Sequence, residues 1–459
     1  MRAAKKKLVV IGNGMAGARC VEDILARGGA DQFEITMFGD EPYGNYNRIL
    51  LSDVLNGSHD ESEIFLNPLA WYEDHGVQLH AGVRAVSILR SACRVIGDNG
   101  VEEPYDQLII ATGSVPFVPP IEGLRLSDGS FKPGVFVFRS LDDCRKIARY
   151  AMGKRTGAVI GGGLLGLEAA RGLQNFELEV HVIHLANHLM NTQLDTQAGA
   201  ILASTLEQLG IRVHCGMNTK TVSGDERVTG LTFSNGQTLD CDVVVISAGI
   251  KPNVEIGVRA GLSVERGIVV DNQMRTDDPK IFALGECVQH RGMVYGLVAP
   301  LWEQAKVLAE HLTGVDPNAA YHGSKIATRL KVMGVEVASM GLTEPTEEGD
   351  EVVQFTEPKK GTYKKLIIRD GRLLGSILLG DISKSAYLMQ AFGQNTPLPE
   401  ERLSLLFDIG APAAKVTFEE MAADMQVCNC NGVSKQALID CVQLGKRTAK
   451  SVMESTRAG

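Results

Sequence analysis

Two glycine-rich turns carry the first chemical signal in this chain. In KLVVIGNGMAGARC an apolar run leads into Gly12, Gly14 and Gly17. In TGAVIGGGLLGLEAA a second run leads into Gly161, Gly163 and Gly166. The spacing G-x-G-x-x-G between a strand-like run and a helical pattern suits a turn that cradles a pyrophosphate. The first glycine permits the tight turn, the second admits phosphates to the backbone, and the third lets helix and strand pack closely. The helices that open at Met15-Ala16 and Leu164-Leu165 offer free N–H groups and a positive partial charge to those phosphates. One such match is a weak signal. Here there are two, and each unit later closes with an apolar strand and a small-residue turn. These are LIIATGS, with Ala111, Thr112 and Gly113, and VVVISAGIKPN, with Gly249. Together they predict two dinucleotide-binding units.

The residues that tune such units follow. The second strand of the first unit, FEITMFGDEP, supplies Asp40 and Glu41, and one of the two is expected to hold a ribose. The second strand of the second unit ends at His184, where an acid would select the free 2′-hydroxyl of NAD, and no arginine follows nearby to hold a 2′-phosphate. NADH is therefore preferred over NADPH, and His184 reads equally well as a surface histidine. Glu168 lies one turn into the second unit's helix. It is either a catalytic carboxylate aimed at a nicotinamide or a favourable acid near a helix N-terminus. A third element, KIFALGECVQ, ends a strand at Gly285-Glu286, and a helix opens near Ala299 or Pro300.

These motifs need several elements to position them. A chain of 459 residues exceeds one compact core, and 50 glycines with only 5% aromatics suit an α/β protein with tight strand-to-helix turns. The net charge of −9 argues against general nucleic-acid binding. Nine scattered cysteines do not make a disulfide framework. The basic start MRAAKKK precedes only LVVI before a glycine, so it reads as a first strand and not a signal peptide. No run approaches a membrane span, and the expected location is cytoplasmic.

ATGS, SAGIKPN and T-x4-IFALGE, taken with the two glycine turns, resemble the two-dinucleotide flavoprotein superfamily of glutathione reductase and ferredoxin reductase, over about residues 5–320. The resemblance implies FAD in the first unit and NAD(P)H in the second. Glu286 stands where that family has an aspartate on a flavin ribityl hydroxyl, and the helix after it points at the flavin. In the disulfide reductase branch a CxxxxC pair, and in a related branch a single cysteine, takes electrons from the flavin. The corresponding stretch here, YGNYNRILLSDVL, has no cysteine, and Cys20 reads as a helix-packing thiol. Electrons are then expected to leave singly, as in the ferredoxin reductase branch. Arg48, also a catalytic candidate, and Asn47 are the polar residues of that stretch best suited to hold the flavin or its phosphates.

FGDEPYGNYNRILLSDVLNG and VHVIHLANHLMNTQLD are similar to the N-terminal part of the large subunit of assimilatory NAD(P)H-dependent nitrite reductase. The C-terminal stretch QVCNCNGVSKQALIDC resembles a bacterioferritin-associated-ferredoxin-like 2Fe-2S module. Cys428 and Cys430 give two of the four ligands such a cluster needs, and the family's other two follow a TRAG segment like Thr456–Gly459. A cluster is expected only with ligands from beyond residue 459, and the chain reads as truncated or split. The expected fold is α/β. It has two Rossmann-like units (FAD, 1–118 and 250–325; NAD(P)H, 119–249), a small α+β domain (326–410) that in the family lies by the flavin, and a short helical Cys-x-Cys module (420–459). The implied activity is NADH oxidation with single-electron delivery to an iron–sulfur/siroheme reductase module, the input half of nitrite reductase. A stand-alone reductase of rubredoxin, ferredoxin or a nitrate reductase is the alternative, and a redox-sensing scaffold is an alternative of another class. Partners implied are that module, a small electron-transfer protein, a small nitrite reductase subunit or a second copy. Neither nucleic acid nor a membrane is expected.

Overall fold

The computed structural model describes residues 4–408, 421, 423, 426–428, 433–456 and 458. Its frame is two parallel five-stranded sheets of the same design. In the first, the spatial order is Ile281–Ala283, Gln107–Ile110, Lys6–Ile11, Phe33–Gly39, Val77–Ala81. In the second it is Val135–Val137, Val243–Ile246, Thr156–Ile160, Glu179–His184, Ile211–Cys215. The central strand of each leads into a glycine turn and a helix, Met15–Ala26 in the first and Leu164–Gln174 in the second. Leu8 to Ile11 and Val243 to Ile246 are buried throughout, as strands covered on both faces must be. In each sheet the strand order reverses beside the central strand, so a crevice opens at the carboxyl ends of Lys6–Ile11 and Thr156–Ile160. That is where open α/β sheets bind ligands.

Each unit also carries a three-stranded antiparallel sheet, at 85–104 and at 219–240. The chain leaves the first unit through Ser114–Pro116 and returns through Ile250–Pro252, and these two segments pair antiparallel as one ribbon. Helix Val298–Thr313 then packs on helix Met15–Ala26.

Residues after 326 form a five-stranded antiparallel sheet, ordered Ala327–Val332, Val335–Gly341, Arg372–Leu379, Thr362–Arg369, Glu351–Glu357, with helix Ser385–Gln394 on one face. Its other face is seated on the second unit. Val332, Val337, Tyr363 and Ile377 share an apolar cluster with Leu167 and Leu173 of helix Leu164–Gln174 and with Leu202 and Leu206 of helix Thr196–Gln208. Polar side chains fix this seat. Asp195 caps helix Thr196–Gln208 by accepting from Ala198 N at 2.8 Å. The same carboxylate accepts from Tyr363 Oη at 2.5 Å and Lys365 Nζ at 2.9 Å, and all three residues are buried. The described part of the C-terminal stretch is the short strand Gln426–Cys428 paired with Val433–Ser434, then helices Lys435–Gln443 and Ala449–Thr456.

Asp195→Ala removes a helix cap and leaves a buried ammonium and a buried phenol short of an acceptor. It should cost about 3 kcal/mol, read as a fall in the thermal unfolding midpoint, whereas Asp195→Asn, which keeps the cap, should cost less.

Candidate functional site

The two glycine turns have the same internal logic. Gly12 has φ +113°, and a Cβ there would lie 2.2 Å from the Ala111 carbonyl oxygen; one on Gly17 would lie 2.1 Å from the Gly12 carbonyl oxygen. Gly161 has φ +131°, with a Cβ position 2.0 Å from the Ser247 carbonyl oxygen, and Gly166 would press a Cβ to 2.0 Å from the Gly161 carbonyl oxygen. These four glycines are required by the protein's own backbone. Gly14 and Gly163 are different: both have ordinary extended angles, and a Cβ on either would meet nothing within 4 Å. Each is the N-cap of its helix, and no side chain caps it. The helix N–H groups therefore face open space that a phosphate can fill and that a side chain on Gly14 or Gly163 would obstruct.

Around the first turn lies an open cleft lined by Gly12, Asp40, Arg84, Thr112, Asn253 and Arg259, among others. Asp40 is exposed to it. Glu41 turns away to accept a hydrogen bond from Tyr46 Oη at 2.7 Å and to pair with Arg48. Arg48 also donates to the Arg139 carbonyl at 3.0 Å and lies over the Tyr46 ring. Asn47 caps the following turn by accepting from Ile49 N. Ala111 N donates to the Ile11 carbonyl, and Thr112 and Gly113 bond to Asn253. Gly285, at φ +92°, holds its N–H on Gln304 Oε1 at 2.9 Å and would set a Cβ 3.0 Å from Ala16. Glu286 accepts from Ser114 Oγ at 2.6 Å and pairs with Arg139. The structure thus gathers Gly12, Gly14, Asp40, Thr112, Gly285 and Glu286 at one sheet edge. It assigns Arg48 and Glu41 to each other.

Arg139, Arg84 and Arg259 were not foreseen. Arg139 precedes the capping box Ser140–Asp143, which marks a helix start and nothing more. Arg84 and Arg259 reach the cleft only through folding, and no local pattern marks them.

At the second unit Leu164 and Leu165 open the helix beyond Gly163, and the carbonyl of Gly249 accepts from Phe117 N at 2.9 Å. Glu168 projects from helix Leu164–Gln174 toward helix Leu51–Leu55 of the first unit. The two helices touch so closely that a Cβ on Gly172 would lie 2.5 Å from Leu55 Cδ2. Desolvation pushes the Glu168 carboxyl up to about 7, a hydrogen bond from Ser52 opposes the rise, and the Asp53 charge adds to it. His184 closes strand Glu179–His184 and accepts a hydrogen bond from Gly162 N at 3.0 Å. Cys428 ends its short strand, and Cys430 lies outside the described residues. Among the described residues no group of three or more His, Cys, Asp or Glu side chains could hold a metal ion.

Residues 6–306 match the pyridine nucleotide-disulphide oxidoreductase family, and residues 327–396 match the rubredoxin NAD+ reductase C-terminal domain. The chain belongs to the pyridine nucleotide-disulphide oxidoreductase family. It is an NAD(P)H-dependent oxidoreductase that binds FAD. It is 44% identical to the NAD(P)H nitrite reductase of Bacillus subtilis, over 96% of this chain and 54% of that one. It is 40% identical to the assimilatory nitrate reductase electron transfer subunit of the same organism, over 99% and 58%. The chain spans a little over half the length of both curated relatives. A ferredoxin reductase from Rhodopseudomonas palustris shares its fold, with TM-score 0.77 at 26% identity, over 87% of this chain and 97% of that one.

In this oxidoreductase the segment Tyr43–Leu55 has no cysteine. Cys144 does approach it, with Sγ 3.4 Å from the Leu51 carbonyl, but burial pushes that thiol up to about 12. Cys20 is fully buried, and its thiol is pushed up still further by desolvation. Neither is poised as a thiolate.

Two predictions follow from the geometry. Gly163→Val should leave the fold and the yellow colour intact while weakening nicotinamide-nucleotide binding by at least about tenfold, whereas Gly161→Val should lower stability by more than about 2 kcal/mol. Nucleotide titration and thermal unfolding separate the two. The second prediction concerns Glu168. Its carboxyl titrates higher in the folded protein than the ordinary 4.5, so the stabilisation is complete below that value and lost as pH rises through about 7. Glu168→Gln, neutral throughout, should lose less stability than the wild type between about pH 5 and about pH 8, by up to about 3 kcal/mol, measured as the unfolding midpoint at each pH.

Proposed function

We propose that this chain is the electron-input part of an assimilatory nitrite-reducing enzyme. It takes a hydride from a nicotinamide nucleotide and passes electrons singly to an iron–sulfur and siroheme centre. The observation that carries this reading is the pair of equivalent phosphate cradles joined at the Glu168–Ser52 contact, with no poised thiol in the segment between them. The similarity to the Bacillus subtilis nitrite reductase supports it.

In this reading the turn Gly12, Gly14 and Gly17 would hold the pyrophosphate of FAD, Asp40 its ribose, and Thr112, Gly113, Gly285 and Glu286 would line the rest of its site. FAD, when bound, supplies an acceptor for two electrons that releases them one at a time. The chain's own residues position and shield. Arg48, held by Glu41 and the Arg139 carbonyl, orders the Tyr43–Leu55 segment. Glu168, mostly protonated below about pH 7, offers a neutral donor where the nucleotide's reactive end approaches. Gly161, Gly163 and Gly166 hold the nucleotide's phosphates. Cys428 and Cys430 supply half of a 2Fe-2S ligand set. A cytoplasmic location suits this role, and among the described residues no helix is long and apolar enough to cross a membrane.

A second reading, a reductase serving a separate electron carrier or a nitrate reductase, is favoured by the rubredoxin reductase C-terminal domain match and the nitrate reductase electron transfer relative. Anaerobic titration distinguishes the outcomes. NADH should bleach the flavin, ferricyanide should restore it, and nitrite should not. Rapid reoxidation by nitrite would reveal a terminal centre within this chain, and absence of bleaching by either nucleotide would end the electron-transfer reading.

A further inference from the structure

The loop between strand Glu179–His184 and helix Thr196–Gln208 touches two parts of the molecule at once. On one side it holds the phosphate-binding turn of the second unit. Gly162 is the middle residue of that turn, between Gly161 and Gly163. Its N–H donates to His184 Nδ1 at 3.0 Å, and its carbonyl accepts from Met190 N at 2.9 Å. A Cβ on Gly162 would lie 2.7 Å from both His184 Cγ and Leu189 Cδ2, so the loop packs directly against the turn.

On its other side the loop is held by the third sheet. Alternation along strand Val335–Gly341 puts Val337 and Ser339 on one face, and along strand Thr362–Arg369 it puts Tyr363 and Lys365 there too. Ser339 Oγ donates to the Gln193 carbonyl at 2.6 Å. Tyr363 and Lys365 donate to Asp195, and Lys365 is itself fixed by the Thr343 carbonyl at 3.0 Å and by Glu344 at 2.6 Å. Leu189, Met190 and Leu194 are buried in the apolar cluster that holds Val337, Tyr363 and Ile377.

The stretch between these two anchorages is short and stiff. Gln193 N and Leu194 N both donate to the Met190 carbonyl, at 2.8 and 2.9 Å. His184 Nε2 lies 3.2 Å from Asn191 Oδ1, and His188 Nε2 lies 3.1 Å from the Leu194 carbonyl. Met190 itself sits at φ +49°, a conformation that bonds on both its sides must hold. A continuous run of hydrogen bonds therefore leads from Ser339 to the Gln193 peptide, to Met190 and to Gly162. The N–H groups beyond Gly163 receive a phosphate only in the right orientation, so whatever fixes Gly162 beforehand adds to affinity.

We propose that the third sheet is a strut for the phosphate-binding turn of the second unit. Ser339 and Tyr363 are positioning residues for nicotinamide-nucleotide binding, acting through the loop that separates them from the turn. The proposal rests on reading that unit as the nicotinamide-nucleotide site.

The test is calorimetric binding of NAD+ to the full FAD-loaded chain, with ADP-ribose as a second probe that keeps the pyrophosphate and lacks the nicotinamide. Ser339→Ala and Tyr363→Phe should each weaken both ligands by about threefold or more, by the same factor for each ligand, with FAD retained and its spectrum unchanged. Leu388→Val thins the packing of helix Ser385–Gln394 on the opposite face of the sheet. It should lower the unfolding midpoint and leave both dissociation constants as they are. Hydrogen exchange gives an independent reading. Linkage is reciprocal, so saturating NAD+ should slow exchange of the amides of Val335–Gly341 in the wild type and not in Ser339→Ala. In Ser339→Ala without nucleotide, amides across 156–166 should exchange faster while those of Val243–Ile246 keep their rate. Affinities within about 1.5-fold of the wild type in both seam variants, an equal loss in Leu388→Val, or third-sheet exchange indifferent to NAD+ would overturn the proposal. A wild type that retains FAD and binds neither ligand would instead remove the reading of the second unit, and the proposal with it.

Discussion

Everything in this molecule depends on a close backbone approach. At Gly12 and Gly17, and again at Gly161 and Gly166, a strand, a turn and a helix meet with no room for a Cβ: each glycine's missing carbon would lie 2.0 to 2.2 Å from a carbonyl oxygen. That contact sets the angle at which helices Met15–Ala26 and Leu164–Gln174 leave their sheets, and so aims their N–H groups at the crevice where the strand order reverses. Gly14 and Gly163 belong to the same motif but obey a different constraint. No atom of the protein lies within 4 Å of where their side chains would start, so the space beside them is open to a ligand.

The charged side chains around the first crevice do a different job from the apolar core. Arg48 with Glu41, and Arg139 with Glu286, are partly buried pairs, each worth on the order of 1 kcal/mol to stability. That is small beside the apolar cluster that gathers Leu51 and Leu55 from the first unit, Leu167 and Leu173 from the second, and Val337 and Tyr363 from the third sheet. The pairs act on orientation. Arg139 belongs to the second unit and Glu286 to the first, so their contact fixes how the two meet at the crevice.

Much of this was legible in the sequence because it is encoded locally. The two glycine turns, the apolar strands and the capped helices are short patterns, and they sufficed for two Rossmann-like units with a smaller α+β domain. The glycines' division of labour was legible too, since it follows from the motif's geometry. What was not legible depends on residues distant in sequence. FEITMFGDEP could not say that Glu41 is drawn off by Arg48 and Tyr46 while Asp40 stays at the cleft. His184 could be read as a ligand or a surface residue, but its partners lie on a turn 22 positions earlier and a loop 7 positions later. The seat of the third sheet was also hidden. Its apolar face, written in alternating residues, fits any apolar surface, and polar contacts such as the buried group of Asp195, Tyr363 and Lys365 and the bond from Ser339 Oγ to the Gln193 carbonyl commit it to the second unit.

Both covalent links between the nucleotide units run side by side through the ribbon Ser114–Pro116 and Ile250–Pro252. A rotation of one unit against the other would therefore twist two adjacent short strands and, with the third sheet seated on the second unit, bend residues 314–326 that join that sheet to the first unit. The third sheet, locked to the second unit by a shared core, would travel with it as one rigid body. Such a swing must part the packing of Leu55 against Gly172 together with the Arg139–Glu286 pair. Helix Leu51–Leu55 is thereby both a wall of the first unit and a stop against which the second unit rests.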